Sequence, residues 1–192
     1  MLFHSLFLGS LVATAYSIPL PLLGRATPCF ATGSVALPAE VAAGIPALES
    51  AVTCNAKIQV ATGVPDIISG GIAFSTIDFQ TSSSSPLGFA LSTFATPTDP
   101  ATADLATLQN QLNDYLAFEA GVRTQPNSSA LLSKLKGPKF FLQFQIARVQ
   151  TANCVSLGVA DTVAHQLEKV TKNAVGASAS EIAQVNALAK QV

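Results

Sequence analysis

The stretch DPATADLATLQNQLNDYLAFEAGV, residues 99–122, decides the fold class. Asp99 is a typical N-cap residue, and Pro100 suits the first helical position, where its missing N–H costs nothing. The apolar residues that follow recur every three or four positions and so share one helix face. They are Leu105, Leu108, Leu112, Tyr115, Leu116 and Val122. This pattern predicts a long amphipathic helix that ends near Gly121.

Further helices are predicted after this one. The sequence indicates a short helix over 128–136 and another over 160–174 that stops near Gly176. A last helix opens with the capping box formed by Ser178 and Glu181, in which each side chain bonds the backbone N–H of the other residue. The short connections between these segments favour antiparallel neighbours in a bundle.

An additional helix is predicted before residue 55. Its apolar stripe consists of Val41, Ile45, Leu48 and Val52. Pro46 lies inside the stripe, and proline costs about 3 kcal/mol in a helix interior. The helix is therefore expected to kink or begin near Pro46, with 47–54 as its secure part.

Residues 139–154 fit either a helix or a strand. Phe140, Leu142 and Phe144 alternate with polar residues as in a strand, whereas Pro138 suits a helix start. We favour a buried helix, because the chain offers only one other strand candidate and a two-stranded ribbon is marginal by itself.

The segment 55–97 is rich in Gly, Pro and Ser but also contains Phe74, Phe79, Phe89 and Phe94. We expect it to be an ordered, irregular wrap over the helices, with a short strand at 72–79. The whole chain is thus predicted to be mainly α, a bundle of about five to six helices covered by this Phe-rich wrap.

The N-terminus has the features of a secretory signal peptide. A short apolar run precedes small residues, and we expect cleavage after Ser17. The predicted organisation is a signal peptide over 1–17, an irregular arm or pro-segment over 18–34, and a single helical domain over 35–192. The protein is expected to be secreted and extracellular, and no segment is apolar for long enough to be an integral membrane helix.

Secretion favours a disulfide among the three cysteines, Cys29, Cys54 and Cys154. The sequence leaves both Cys29–Cys54 and Cys54–Cys154 open. We favour Cys54–Cys154, because both residues are predicted to end helical segments that could meet at one end of the bundle. Asn127 begins the one N-glycosylation sequon and lies in a polar break between helices.

The composition argues against several functions. Only 11% of residues are charged and the net charge is −1, so the basic footprint of a nucleic-acid-binding protein is missing. His165 is the one histidine after the signal peptide, and it shares a solvated helix face with Asp161 and Glu168. We therefore predict that the protein is not an enzyme and uses no metal or other cofactor.

Two sets of residues are candidates for binding. A modest basic patch suits an acidic glycan, lipid or protein partner: Arg123, Lys134, Lys136, Lys139 and Arg148. A cavity for an acyl chain or sterol would be lined by side chains of the bundle: Leu112, Leu116, Phe140 and Phe144.

Several strings in the chain resemble uncharacterised small secreted proteins of filamentous ascomycete fungi. They begin at Gly63-Val64-Pro65, Gly70-Gly71-Ile72, Tyr115-Leu116-Ala117, Pro138-Lys139-Phe140 and Lys169-Val170-Thr171. The resemblance covers most of the chain after the signal peptide, and it implies a fungal, extracellular origin without implying a mechanism.

These observations predict a secreted, non-enzymatic interaction protein of a fungus, acting as a host-directed effector or at the cell surface. Its partner would be a protein, glycan or lipid outside the cell. The alternative is a helical-bundle carrier of a hydrophobic ligand, either a fatty acid or a sterol.

Overall fold

The computed structural model describes residues 27–192. The predicted signal peptide, its cleavage site after Ser17 and the first part of the predicted arm lie outside these residues. Where the described chain begins, Phe30 is fully buried. This end of the arm therefore packs into the core.

The part of the chain that is described contains six α-helices and three β-strands, and the predicted predominance of helix is confirmed. In chain order the elements are α1 (Ala39–Ala51), β1 (Val52–Ala61), β2 (Val64–Ser69), β3 (Ile72–Ala73), α2 (Pro86–Thr93), α3 (Leu105–Arg123), α4 (Ser129–Ala152), α5 (Val163–Asn173) and α6 (Ala179–Leu188). Within residues 27–192, no helix is both long and apolar enough to cross a membrane.

The prediction of an irregular wrap is wrong for its first part. The three strands form an antiparallel sheet in the order β1-β2-β3. Gly70 and Gly71 both have positive φ, 56° and 83°, and they supply the tight turn between β2 and β3. Of the strand expected at 72–79, only Ile72 and Ala73 are strand; a 3-10 turn follows.

The burial of β1 and β2 explains why their sequences do not predict strands. In β2, the four residues from Val64 to Ile67 are all buried, so the strand lacks the alternation that marks a half-exposed sheet. In β1, residues 56–59 are all exposed, and the register with β2 shifts twice. Neither strand therefore has the two-residue period on which a sequence prediction depends.

The long helix predicted from residues 99–122 is present as α3, but it begins later than expected. Asp99 caps a 3-10 turn, Pro100–Thr102, by accepting a hydrogen bond from the Ala101 N–H. Asp104 is the N-cap of α3 and accepts from the Thr107 N–H at 3.1 Å. Two consecutive Asx caps thus divide the predicted element into a turn and a helix.

Aromatic residues join α3 to the part of the wrap that is irregular. Phe74 stacks on Phe118 with ring centroids 4.0 Å apart and meets Tyr115 edge-on at 5.1 Å. The Tyr115 hydroxyl donates to the Ile77 carbonyl oxygen at 2.7 Å. The expected docking of wrap phenylalanines on the helices is confirmed for this cluster.

The segment 139–154 is helical as favoured above, over residues 139–152, and Asn153 and Cys154 form the turn that follows. It is the second part of α4, which also includes most of the short helix predicted over 128–136 and continues through Pro138. Phe141, Leu142 and Phe144 are all fully buried. The apparent alternation arises because α2, α3 and α5 all pack against α4, so apolar residues are needed on most of its circumference.

Helix α1 differs from its prediction at both ends, whereas α6 begins as predicted. Pro46 lies inside α1, which begins well before it at Ala39. The helix ends at Ala51 and not at Cys54, because Val52 already belongs to β1. The capping box of α6 is confirmed, with both the Ser178 and Glu181 hydrogen bonds present.

The favoured disulfide pairing is wrong. Cys54 pairs with Cys29, at a Cα–Cα distance of 6.0 Å, and Cys154 is a free, exposed thiol. The argument for Cys54–Cys154 assumed that both residues end helices. Cys54 instead lies in β1, next to the segment that contains Cys29, so the bond ties the described N-terminal segment to the sheet.

We expect replacement of both Cys29 and Cys54 by Ala to lower the free energy of unfolding by about 3 kcal/mol. The bond joins residues 25 positions apart, and a loop of that length removes about this much conformational freedom from the unfolded chain. Urea denaturation under non-reducing conditions measures the loss. Cys154→Ser is the matched control and should change stability by less than about 0.5 kcal/mol. Equal losses in the two proteins would contradict the assigned pairing.

Candidate functional site: a groove with an apolar floor and a cationic wall

Helices α1, α3, α4 and α5 surround an open groove of about 890 Å³. This is more than twice the volume of the groove beside the loop 155–158, which measures about 380 Å³. Ligand sites generally have volumes of about 300 to 1,000 Å³ and apolar walls with a few polar groups. The larger groove is the candidate site.

Small residues on one face of α1 keep the groove open. Gly44, Ala47 and Ala51 follow one another at helical spacing and line the groove beside Leu48. A Cβ atom added to Gly44 would meet no atom within 4 Å. These residues of α1, together with Leu116 of α3 and Phe140 of α4, form the apolar floor of the groove.

A buried ion pair forms part of the charged lining of the groove, which we call the cationic wall. Glu119 is only 6% exposed, and its carboxylate accepts hydrogen bonds from Lys139 Nζ at 2.6 Å and Arg123 Nη2 at 2.8 Å. Burial by itself would raise the pKa of Glu119, but attraction to Lys139 and the hydrogen bonds from both cations hold that pKa below its ordinary value. Glu119 is thus ionised and neutralises much of the charge of these two cations.

Lys169 contributes a less compensated cation. Its Nζ donates to Gln143 Oε1 at 2.9 Å and lies 4.6 Å from the centroid of the Phe140 ring. Lys139 Nζ lies at the same distance from that ring. Burial, followed by repulsion from Lys139, lowers the pKa of Lys169, and attraction to Asp161 and Glu119 opposes this only in part. Among residues 27–192, no carboxylate lies within 4.0 Å of its ammonium group.

The structure brings together three of the five residues of the predicted basic patch. Arg123, Lys136 and Lys139 line the groove. Lys134 lines a different depression, beside Pro86 and Leu131. Arg148 is fully buried, so it is not part of a surface patch. It donates to Thr96, Gln145 and the Gln191 carbonyl oxygen.

The four residues of the predicted cavity lining also lie in different parts of the structure. Leu116 and Phe140 line the groove, whereas Leu112 borders the smaller groove beside the loop 155–158. Phe144 is fully buried and packs on Phe141 with ring centroids 5.9 Å apart. It belongs to the core.

Sequence reasoning missed Lys169 and the small-residue face of α1. Lys169 lies one helical turn after Gln166 and directly before Val170, and both of these residues are buried. That neighbourhood is the signal that could have separated Lys169 from an ordinary solvated lysine. Nothing in the local sequence showed that α1 would lie opposite it.

The remaining candidates lie apart from the groove. His165 is exposed, and Glu168 pairs with Lys172 at 2.6 Å on the surface. Within residues 27–192, no group of three His, Cys, Asp or Glu side chains is placed to hold a metal ion. Asn127 is exposed in the turn between α3 and α4, with a φ of 57°.

A buried acidic pair was also missed. Asp66 is 1% exposed and accepts hydrogen bonds from the Ser75 N–H and hydroxyl at 2.9 and 2.6 Å. Asp114 is fully buried, and neither of its oxygens has a hydrogen-bond partner. Burial and then repulsion from Asp66 raise the pKa of Asp114 to about 8, and the nearby Ser69 amide opposes this only in part. Asp114 is therefore neutral at pH 7.

The fold and the groove define a class: a mainly helical domain with a small antiparallel sheet and a four-helix groove that is apolar on one side and cationic on the other. The chain belongs to the DUF7143 family, described as a domain of unknown function, whose match covers residues 31–192. It matches no curated protein and no solved structure.

Proposed function

We propose that this is a secreted, non-enzymatic interaction protein of a filamentous fungus, and that it binds its ligand in the groove. The observation that carries the proposal is the open volume of about 890 Å³ between α1 and the charged wall. The groove is open to solvent, and its volume falls within the range of about 300 to 1,000 Å³ that is typical of ligand clefts. A ligand that covers Leu48, Leu116 and Phe140 would take these apolar side chains out of water.

The extracellular part of the proposal rests on the N-terminal signal sequence over 1–17, the sequon at Asn127 and the Cys29–Cys54 disulfide. The fungal part, including a role as a host-directed effector or cell-surface protein, rests on the resemblance to small secreted fungal proteins. Recovery of the protein from cell lysate alone, with residues 1–17 intact, would contradict the extracellular part.

The non-enzymatic part rests on how the charged groups of the groove are used. Glu119 is held by Lys139 and Arg123, and Lys169 by Gln143 and Phe140. These contacts fix the shape and charge of a wall. They do not pair a nucleophile with a base, which is the arrangement that covalent catalysis requires.

A second candidate function is the transport of a hydrophobic ligand, either a fatty acid or a sterol. The apolar floor favours it, because Leu116 and Phe140 face open space where a core residue would face other side chains. Both functions place the ligand in the same groove, and they share one test.

Gly44→Phe is expected to weaken binding of N-phenyl-1-naphthylamine, a neutral apolar probe, at least about tenfold, because the new ring would occupy the floor. Probe fluorescence titrated with protein measures the affinity. Ala43→Phe is the matched control, since Ala43 is exposed on the same helix and does not line the groove. Unchanged binding by Gly44→Phe, or no binding by the parent protein, would contradict the proposed site.

A further inference from the structure

We propose that the groove selects an anionic amphiphile with a single apolar chain. The head group, a carboxylate in the simplest case, binds beside Lys169 and Lys136, and the chain lies along the small-residue face of α1. This inference rests on the proposed function, since it names the ligand class of the same groove.

Charge complementarity gives the sign of the ligand. The groove is lined by four cations, Arg123, Lys136, Lys139 and Lys169, against two carboxylates, Glu40 and Glu119. The whole chain, by contrast, has a net charge of −1. A protein with few charges therefore concentrates positive charge around one concave surface, where low-dielectric walls strengthen its field.

The position of the head group follows from how the cations are paired. Arg123 and Lys139 are bound to Glu119, whereas the direct contacts of Lys169 are with neutral groups, Gln143 and the Phe140 ring, and the carboxylates of Asp161 and Glu119 attract it from beyond ion-pair distance. An ammonium group has three donors, so Lys169 can bond an anion without releasing Gln143. Burial and the nearby charge of Lys139 disfavour its ionised form, Asp161 and Glu119 oppose them only in part, and a bound anion would offset the remainder by direct attraction.

Lys136 supplies a second cation at the same part of the groove. Lys136, Phe140 and Gln143 all line the groove and are spaced at i, i+4 and i+7 on α4, so they form one stripe of that helix. Lys169 contacts the last two of these residues. Lys136 therefore lies one helical turn before Phe140 on the face that Lys169 contacts, and we assign the head group to this part of the groove.

The apolar floor shows that the ligand is more than an anion. A phosphate or carboxylate by itself would leave Ala47, Leu48 and Leu116 uncovered, together with most of the 890 Å³. A neutral sterol would cover that floor but would cover Lys169 and Lys136 without supplying a counter-charge, which is unfavourable. A chain with an anionic head group satisfies both surfaces.

The test uses isothermal titration calorimetry of the secreted protein with three single-chain probes: laurate, dodecanol and dodecylammonium. We expect laurate to bind at least about tenfold more tightly than dodecanol, and dodecylammonium to bind most weakly. Equal affinities for laurate and dodecanol would overturn the charge inference while leaving the proposed groove site intact. A failure to bind any of the three would overturn both.

Variants locate the head group. Lys169→Gln and Lys136→Gln should each weaken laurate binding about five- to tenfold and leave dodecanol binding unchanged, since only the charged contact is lost. Lys172→Gln is the control, because Lys172 lies on the same helix but pairs with Glu168 on the surface. Equal loss of laurate and dodecanol binding in Lys169→Gln would assign that lysine a structural role and overturn the inference.

Two further readouts separate other occupants. Sedimentation with phosphatidylcholine vesicles that contain phosphatidylserine tests a membrane surface as the source of anions. Binding to these vesicles without binding to monomeric laurate would overturn the inference. In native mass spectra, a dimer that laurate does not dissociate and that Gly44→Phe abolishes would place a second copy of the chain in the groove, with the same consequence.

Discussion

Asp114→Asn is expected to make the protein more stable than the parent above about pH 4, by an amount that grows as the pH rises to about 8. Asp114 has a pKa of about 8 in the folded protein against 3.8 as its ordinary value, with burial as the main cause. Between these two values the folded state keeps the proton and the unfolded state has lost it. The free energy of unfolding of the parent therefore falls with pH, by about 1.4 kcal/mol per pH unit.

The sum of this loss by pH 8 is on the order of 5 kcal/mol, a large part of the stability of a single domain. The Asn side chain resembles the protonated acid in shape and does not ionise, so its contribution is independent of pH. The two proteins should be similar near pH 4 and diverge above it. Urea denaturation at several pH values between 4 and 8 measures this divergence.

Asp104→Asn is the control for this experiment. Asp104 is an exposed N-cap whose pKa is lowered by hydrogen bonds from Thr107, so its contribution to stability is present above its ordinary pKa and disappears in acid. Asn is also a good N-cap, and this variant should differ little from the parent. Parallel pH profiles for Asp114→Asn and the parent protein would show that Asp114 is ionised in the folded state, against our expectation.

Glu119→Gln is expected to lower the free energy of unfolding by about 3–5 kcal/mol, because it leaves the ammonium of Lys139 buried without a counter-charge. Lys139 is 9% exposed, and its Nζ lies 2.6 Å from the Glu119 carboxylate. Removing both charges together, in Glu119→Gln with Lys139→Met, should recover most of the loss. A double-mutant cycle from urea denaturation gives the coupling between the two residues.

The chain offers a matched surface pair for comparison. Glu168 and Lys172 are also 2.6 Å apart, but their side chains are 59% and 71% exposed. Glu168→Gln should therefore leave the free energy of unfolding almost unchanged, as is typical of exposed ion pairs. Similar losses for Glu119→Gln and Glu168→Gln would mean that burial does not set the strength of the Glu119–Lys139 pair.

Part of the candidate site could be predicted from sequence. Arg123, Lys136 and Lys139 stood out because the segment around them lacks acidic residues, and Leu116 and Phe140 because they recur at helical spacing. Each of these signals is local. Local signals could not show that Glu119 of α3 would pair with Lys139 of α4. Nor could they show that Lys134 and Arg148 would lie away from the groove.

The sequence by itself determined the helices, because hydrophobic spacing and capping are properties of neighbouring residues. The period of residues 99–122 predicts α3, and the capping box of Ser178 and Glu181 predicts the start of α6. The tertiary structure alone decided the sheet, the Cys29–Cys54 pairing and the groove. A strand buried throughout has no period, and a disulfide or a groove depends on which distant segments pack together, so none of the three leaves a local pattern in the chain.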